Sequence, residues 1–308
     1  ARKNAGADAW KSDSVDLSDI AATSFVGYDT MNALGKVLAI VKNGERVTNA
    51  SAGDEIVLIL DTTPFYAESG GQAGDVGVME SADAMLDVVG TTKNHAGIFL
   101  HNAVVKAGMV SCGDELEGKV DFVLRNSTMR NHTAAHLLQA ALRKVLGTHV
   151  EQAGQLVNAE HVRFDFTHFS ALTQEELAKV EALVNEEILL ARPVIVKEMP
   201  IEEAKKLGAM ALFGEKYGDV VRVVRVDDFS IEFCGGTHVD NTAKLGLFKI
   251  ITETSVASGV RRIEAVTGIN TLRLLESNLE TIREASPALK LNNPNELEGK
   301  SSAMAGEV

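Results

Sequence analysis

The chain has 308 residues, 45% hydrophobic and 24% charged, enough for two globular cores. Its formal charge of −13 argues against a general nucleic-acid binder, because phosphate affinity needs clustered Lys and Arg, which an acidic protein must confine to a patch. No apolar run approaches the roughly 20 residues of a membrane span and no signal-peptide pattern opens the chain, while two cysteines exclude a disulfide framework and suit a reducing cytoplasm.

Residues 1–24 are polar and rich in Asp and Ser, with no sustained period, and read as a connecting segment. From Phe25 to Arg125 short β runs alternate with turn residues: GKVLAIVKNGERV, DEIVLILDTTPF, LDVVGTT, GIFLHNAVV and GKVDFVL. Asn43-Gly44 is a hairpin signal, and the close spacing predicts a small antiparallel barrel. Inside it lies the densest glycine stretch, Ser69 to Gly77. No Gly-Lys-Ser/Thr follows and no helix is signalled, so tight turns and a bulge are expected there rather than a nucleotide cradle.

From Asn126 to Gly268 helices alternate with strands. Asn131 as N-cap and Gly147 as stop predict a helix over His132–Leu146. At 100° per residue His132, His136, Gln139 and Arg143 fall within about 60° of one another, opposite an apolar face of Ala134, Leu137, Leu138, Ala141, Leu142 and Val145. Imidazoles four apart can reach one metal ion. Later in the chain, Cys234-Gly235-Gly236-Thr237-His238 adds a thiolate and a third imidazole. This is the ligand set zinc prefers, one ion on His132, His136, Cys234 and His238. Thr133 stands where the Glu of HExxH would be, so the general base of a zinc protease is missing. Thr133 and Thr237, beside the ligands, are placed either to bond a substrate or to hold the site together. Glu232, Asp240 and Asp165 lie near the motifs without a spacing that marks a general base.

A capping box at Thr173–Glu176 opens a second helix that Pro193 stops, and Pro200 opens a shorter one. Strands are expected at HVRFDF, PVIVKEM, DVVRVVRV, SIEF and GLFKIITE. Without parallel βαβ repeats the fold class is α+β, an antiparallel-rich sheet with helices on one face. Arg125, Arg130, Arg143, Lys144, Arg261 and Arg262 are the candidates for a basic patch, with Arg143, Arg261 and Arg262 foremost. After Gly268, Leu272, Leu275, Leu279 and Ile282 form a short seam for a partner helix, ended by Pro287 and Pro294.

NHTAAHLL, EFCGGTHV and GVRRIEAVTG, with TPFYAESGGQAGDVG and AMALFGEKY, resemble the editing region of bacterial-type alanyl-tRNA synthetases over about Phe25 to Gly268. That family includes free-standing editing proteins and shares its zinc-site domain with threonyl-tRNA synthetases. The resemblance implies a barrel at 25–125, a zinc-binding deacylase domain at 126–268, and from 269 the start of a helical, oligomer-forming region. The chain begins at Ala1 without Met, and a piece of a longer protein is expected, with the ATP- and Mg2+-dependent aminoacylation domain before it. The implied activity is hydrolysis of Ser-tRNA(Ala) and Gly-tRNA(Ala), with the tRNA acceptor end as partner. By the same resemblance the glycine stretch abuts the RNA path and Gln152 lines the editing pocket, whereas a solvated loop amide is what the residues alone suggest. Gln155 departs from the Ser many relatives carry, which puts the pocket's local shape in doubt. Two other readings stand beside this one: a non-catalytic, zinc-stapled module docking the acceptor end, and a free-standing deacylase.

Overall fold

Residues 15–210, 218–291 and 293–306 are described by a computed structural model of the chain. Six antiparallel strands close a barrel: Asn32–Lys42, Glu55–Leu60, Gly77–Glu80, Ala84–Lys93, Phe99–Ser111 and Glu115–Val120. Closure comes from the last strand, which pairs with both Gly77–Glu80 and Asn32–Lys42. Alternate side chains fill the interior, among them Ile40, Ile56, Leu58, Met79, Leu86 and Leu116, all fully buried. The strand Glu55–Leu60 is buried on both faces, because Leu17 and its neighbours Val15 and Ile20 pack over Val57 and Ile59 outside the barrel. So the described part of the segment read as connecting, from residue 15, covers an apolar face. The hairpin forms where expected, with Asn43 and Gly44 at φ 53° and 81°, the two positive values a type I′ turn requires.

The first helix, α1, spans Phe122–Leu146 and begins ten residues before the position expected from Asn131. GKVDFVL is strand only as far as Val120. Asp121 turns the chain, its Oδ1 accepting from the backbone N–H of Val123 and Leu124 at 2.9 Å each. Phe122 and Val123 are 68% exposed, so the aromatic and β-branched side chains that favour strands mislead here. Asn131 is buried inside the helix, accepting from Thr267 Oγ1 and donating to Asn158 O. Gly147 ends α1 as read, at φ 116°, its N–H bonded to Arg143 O.

Beyond α1 a four-stranded antiparallel sheet is ordered Gln152–Val157, Val162–Thr167, Val260–Thr267, Phe248–Ala257. Two of these strands lie outside the expected set. QAGQLV carries no alternation and has a bulge between Gln152 and Gly154, while VRRIEAVT hides its apolar face behind charges. α1 and α2 (Gln174–Leu189) cover one face, packing Leu137, Leu138, Leu142, Val180, Val184 and Ile188 onto Phe164, Phe166, Phe248 and Ile263. The capping box at Thr173 is present in full. A second sheet of three strands, Val194–Pro200, Val220–Val226 and Ser230–Phe233, carries α3 (Ile201–Lys206). Residues 211–217 of AMALFGEKY lie outside the described residues. α4 (Gly268–Ala288) runs one residue past Pro287, and α5 (Leu297–Gly306) follows a short turn. The seam positions Leu272, Leu275 and Leu279 are 48%, 40% and 53% exposed.

Candidate metal centre

Residues 131–142 of α1 are buried on every side, so the polar face read from the sequence is an internal one. It is covered by the turn that follows the strand Ser230–Phe233, which brings Cys234 and His238 against His132 and His136. One ligand atom from each of the four lies within 4.8 Å of the others. Cys234 Sγ is 3.5 Å from His132 Nε2 and 3.2 Å from His238 Nε2. Ligands around tetrahedral zinc, with Zn–N of about 2.0–2.1 Å and Zn–S of about 2.3 Å, stand roughly 3.3–3.6 Å apart. The donor set fits the ion, and the two contacts of Cys234 Sγ, at 3.5 and 3.2 Å, have about the spacing its ligands adopt. Only glycine allows this approach at position 236, where a Cβ would stand 2.1 Å from His132 Cε1.

Burial holds the three imidazoles in the neutral, ligating form: His132 and His238 fall well below the ordinary histidine range, and His136 is pushed down to about 3. Arg222 adds to this. Its Nη1 donates to Cys234 O at 2.9 Å and Gly236 O at 2.7 Å, and its guanidinium stacks 4.1 Å above the Tyr28 ring. The Tyr28 hydroxyl donates to Gly235 O, so a residue preceding the barrel grips the turn. Glu232, facing His136 Nδ1 at 3.6 Å, is raised by burial to about 8, opposed by the Ser230 hydroxyl and by Arg143.

Thr133 is fully buried, its Oγ1 lying 3.1 Å from His238 Nδ1 and accepting from Val239 N–H. Thr237 is buried and accepts from the Gln72 amide. Both hydroxyls are thus engaged within the protein. Gln152 sits on a sheet strand rather than a solvated loop, opposite Phe166. The amide that reaches the histidines is Gln155, whose Nε2 donates to Gly70 O at 2.7 Å and stands 3.4 Å from His132 Nε2. A cavity of about 310 Å³ opens beside the cluster, lined among the described residues by Tyr66, His132, Gln155, Arg222, Cys234 and Gly235.

The arginines are less free than their sequence suggests. Arg143 donates to Val150 O, Arg261 is gripped by Glu253, and Arg262 makes a two-point pair with Asp165 at 2.6 and 2.7 Å. Arg125 does not belong to a surface patch: its side chain is 2% exposed, bonded to Asp75, Gly27 O and Pro64 O. The residues missed from sequence are Gln72, Tyr28 and Arg222. Gln72 is 60 residues from His132, beyond any local spacing, and its one sequence signal is its place in the glycine stretch Ser69-Gly70-Gly71-Gln72.

The description "tRNA synthetases class II (A)" matches residues 1–123, and "Threonyl and Alanyl tRNA synthetase second additional domain" matches residues 221–264. The second span holds Cys234 and His238; His132 and His136 fall between the two. The chain is similar to an alanine–tRNA ligase of Thermoanaerobacter pseudethanolicus, 49% identical over 91% of this chain and 32% of that protein. Those of Pelotomaculum thermopropionicum (51% identical; 88% of this chain, 31% of that protein) and Fervidobacterium nodosum (54%; 84% and 30%) match similarly. The chain spans about a third of the length of the curated relatives it matches.

Proposed function

The chain belongs to the family of alanine–tRNA ligases over the stretch it shares with them, and we propose that it hydrolyses the ester linking a wrong amino acid to tRNA(Ala). The observation carrying this is the four-ligand cluster set beside a cavity, two of its ligands, Cys234 and His238, lying within the span that matches the second additional domain. The substrates are Ser-tRNA(Ala) and Gly-tRNA(Ala). A synthetic pocket cannot strongly reject a smaller amino acid, or one that adds only a hydroxyl, so a second, hydrolytic site removes the errors. The whole protein would ligate alanine to tRNA(Ala) with ATP and Mg2+ outside this stretch.

His132, His136, Cys234 and His238 would hold zinc. When bound, that ion supplies a Lewis acid that polarises an ester carbonyl or lowers the pKa of water. The residues around it keep the imidazoles neutral, fix the CGGTH turn and offer the Gln155 amide and Arg222 to the cavity. Water adds to the ester carbonyl carbon, the bond from that carbon to the ribose oxygen breaks, and the departing oxygen takes a proton from the water, leaving the free amino acid and a ribose hydroxyl. Thr133, Gln152 and Thr237 are the residues nominated for reading the amino acid, and Arg143, Arg261 and Arg262 for the acceptor end. Among the described residues no helix is long and apolar enough to cross a membrane; a cytoplasmic setting follows from the translation role. The exposed α4 seam suits a helix from the rest of the synthetase or from a second copy.

The presence of a fourth protein ligand favours one other reading, a closed structural zinc site in a module that docks the acceptor end. A deacylation time course separates the two. The zinc-loaded chain, alone or joined to the rest of its synthetase, should release serine from Ser-tRNA(Ala) faster than buffer and spare Ala-tRNA(Ala). No rate above buffer in either form refutes the hydrolase and leaves the docking module.

A further inference from the structure

We propose that Gln72, contributed by the barrel, is a positioning residue of the metal centre that holds His132 with Nε2 directed to the ion. The inference rests on the metal-centre reading above. Gln72 is fully buried, and its carboxamide makes three polar contacts. Oε1 accepts from Thr237 N–H at 2.9 Å and stands 2.7 Å from His132 Nδ1; Nε2 donates to Thr237 Oγ1 at 2.9 Å.

The contact with Thr237 identifies the amide oxygen. A backbone N–H can only donate, so the atom facing it is Oε1 and not Nε2. The same oxygen, which carries no hydrogen, faces His132 Nδ1. Two lone pairs at 2.7 Å would repel, so Nδ1 bears the proton and donates it. The lone pair of the neutral ring is then on Nε2, the nitrogen that points at Cys234 Sγ. One carboxamide therefore sets the tautomer of a ligand on α1. It also grips the turn that carries the other two ligands, through Thr237.

The loop is built to keep that amide still. The Gln72 backbone bonds Ser69 in both directions, at 3.0 and 3.2 Å. On either side Val157 N–H donates to Gly71 O at 2.7 Å and Ala73 N–H to Val157 O at 2.8 Å, fastening the barrel loop to the sheet beneath the histidines. Gly71 is at φ 81°, and a Cβ there would meet Gln155 O at 2.4 Å. The glycine stretch does form tight turns, and those turns deliver a partner to a metal ligand.

Partners of this kind typically change metal affinity by about 10–100-fold when removed. The test uses the 308-residue chain, with zinc affinity measured by competition against a chromophoric chelator. Gln72→Leu leaves His132 Nδ1–H and Thr237 N–H without an acceptor, and should weaken zinc binding by about 10–100-fold. Gln72→Glu keeps an acceptor for both, the Thr237 hydroxyl turning to donate, and should stay within a few-fold of wild type. A role in packing alone predicts the opposite, since a buried carboxylate would harm the fold at least as much as leucine does. Long-range 1H–15N correlation on zinc-loaded wild type, which needs no variant, should show His132 protonated at Nδ1 and ligated through Nε2. Ligation through Nδ1 overturns the inference, as does a folded Gln72→Leu chain that binds zinc as tightly as wild type. Failure of wild type to bind zinc at all overturns the metal reading itself, and with it this inference; the other two outcomes both require a wild type that binds zinc, so the two failures are distinct.

Discussion

Asp75→Asn tests how the barrel is fastened to α1. Arg125, in the first turn of α1, and Asp75, on the glycine loop, are 2% and 5% exposed. Arg125 Nε lies 2.9 Å from both carboxylate oxygens, and its Nη groups donate to Asp75, Gly27 O and Pro64 O. Asp75 also accepts from Tyr66 N–H at 2.6 Å. The substitution preserves volume and removes one charge, leaving a buried guanidinium without its counter-ion. Breaking a buried pair from one side costs about 3–5 kcal/mol, against a total stability of about 5–15 kcal/mol. With a urea m-value of about 2 kcal/mol/M, the unfolding midpoint should fall by about 1.5–2.5 M. Urea unfolding followed by circular dichroism reads this directly. Arg125→Met alone should be comparably damaging, and the double variant should recover much of the loss because no buried charge is left alone. A cost for Asp75→Asn below about 1 kcal/mol, or simple additivity in the double variant, would refute the reasoning.

Two further outcomes are expected. His101, fully buried in the barrel between Thr63 Oγ1 and Leu58 O, is pushed by burial down to about 4. Between about pH 4 and 6.5 the unfolded chain binds a proton that the folded one does not, so stability rises with pH over that window. The contribution is complete above about pH 7 and falls by roughly 3 kcal/mol toward pH 4. His101→Gln should lose this part of the pH dependence, and a wild-type His101 proton resonance titrating near pH 6.5 would refute it. Binding of the isolated chain to tRNA should be weak and fall linearly in log K against log salt, with a shallower slope when Arg143, Arg261 or Arg262 is replaced. Tight binding unchanged between low and physiological salt would contradict that.

What could be read in the sequence was what acts over a few residues. The Thr173 capping box, the Asn43-Gly44 turn and the Gly147 stop all satisfy backbone groups locally, and all three stand. The two halves of the His/Cys cluster are equally readable, because helical spacing pairs His132 with His136 and composition marks Cys234 and His238. Errors arose where a distant partner decides. Asn131 looks like a cap until Thr267, 136 residues away, occupies its oxygen. Arg125 looks like surface until Asp75, 50 residues away, neutralises it in the interior. Gln152 and Gln155 are three apart in sequence, which on a regular strand would put them on opposite faces, yet the bulge between Gln152 and Gly154 sets them opposite Phe166 and Phe164 on one face, with Gln155 standing 3.4 Å from His132 Nε2.

The Cys234–His132 contact spans 102 residues, and that distance has a meaning in time as well as in space. At roughly 5–20 residues per second, ribosomal synthesis separates the two side chains by about 5–20 s. The barrel strands end at Val120, so all six leave the ribosome before α1, while the partners that fasten the Gln72 loop, Arg125, Val157 and Thr237, come after them. His132 and His136 then meet the solvent as a bare two-nitrogen perch, open to any borderline cation. If the cluster holds zinc as proposed, the soft thiolate that favours that ion over harder cations is made 102 residues after the first imidazole, and the preference for zinc waits on Cys234.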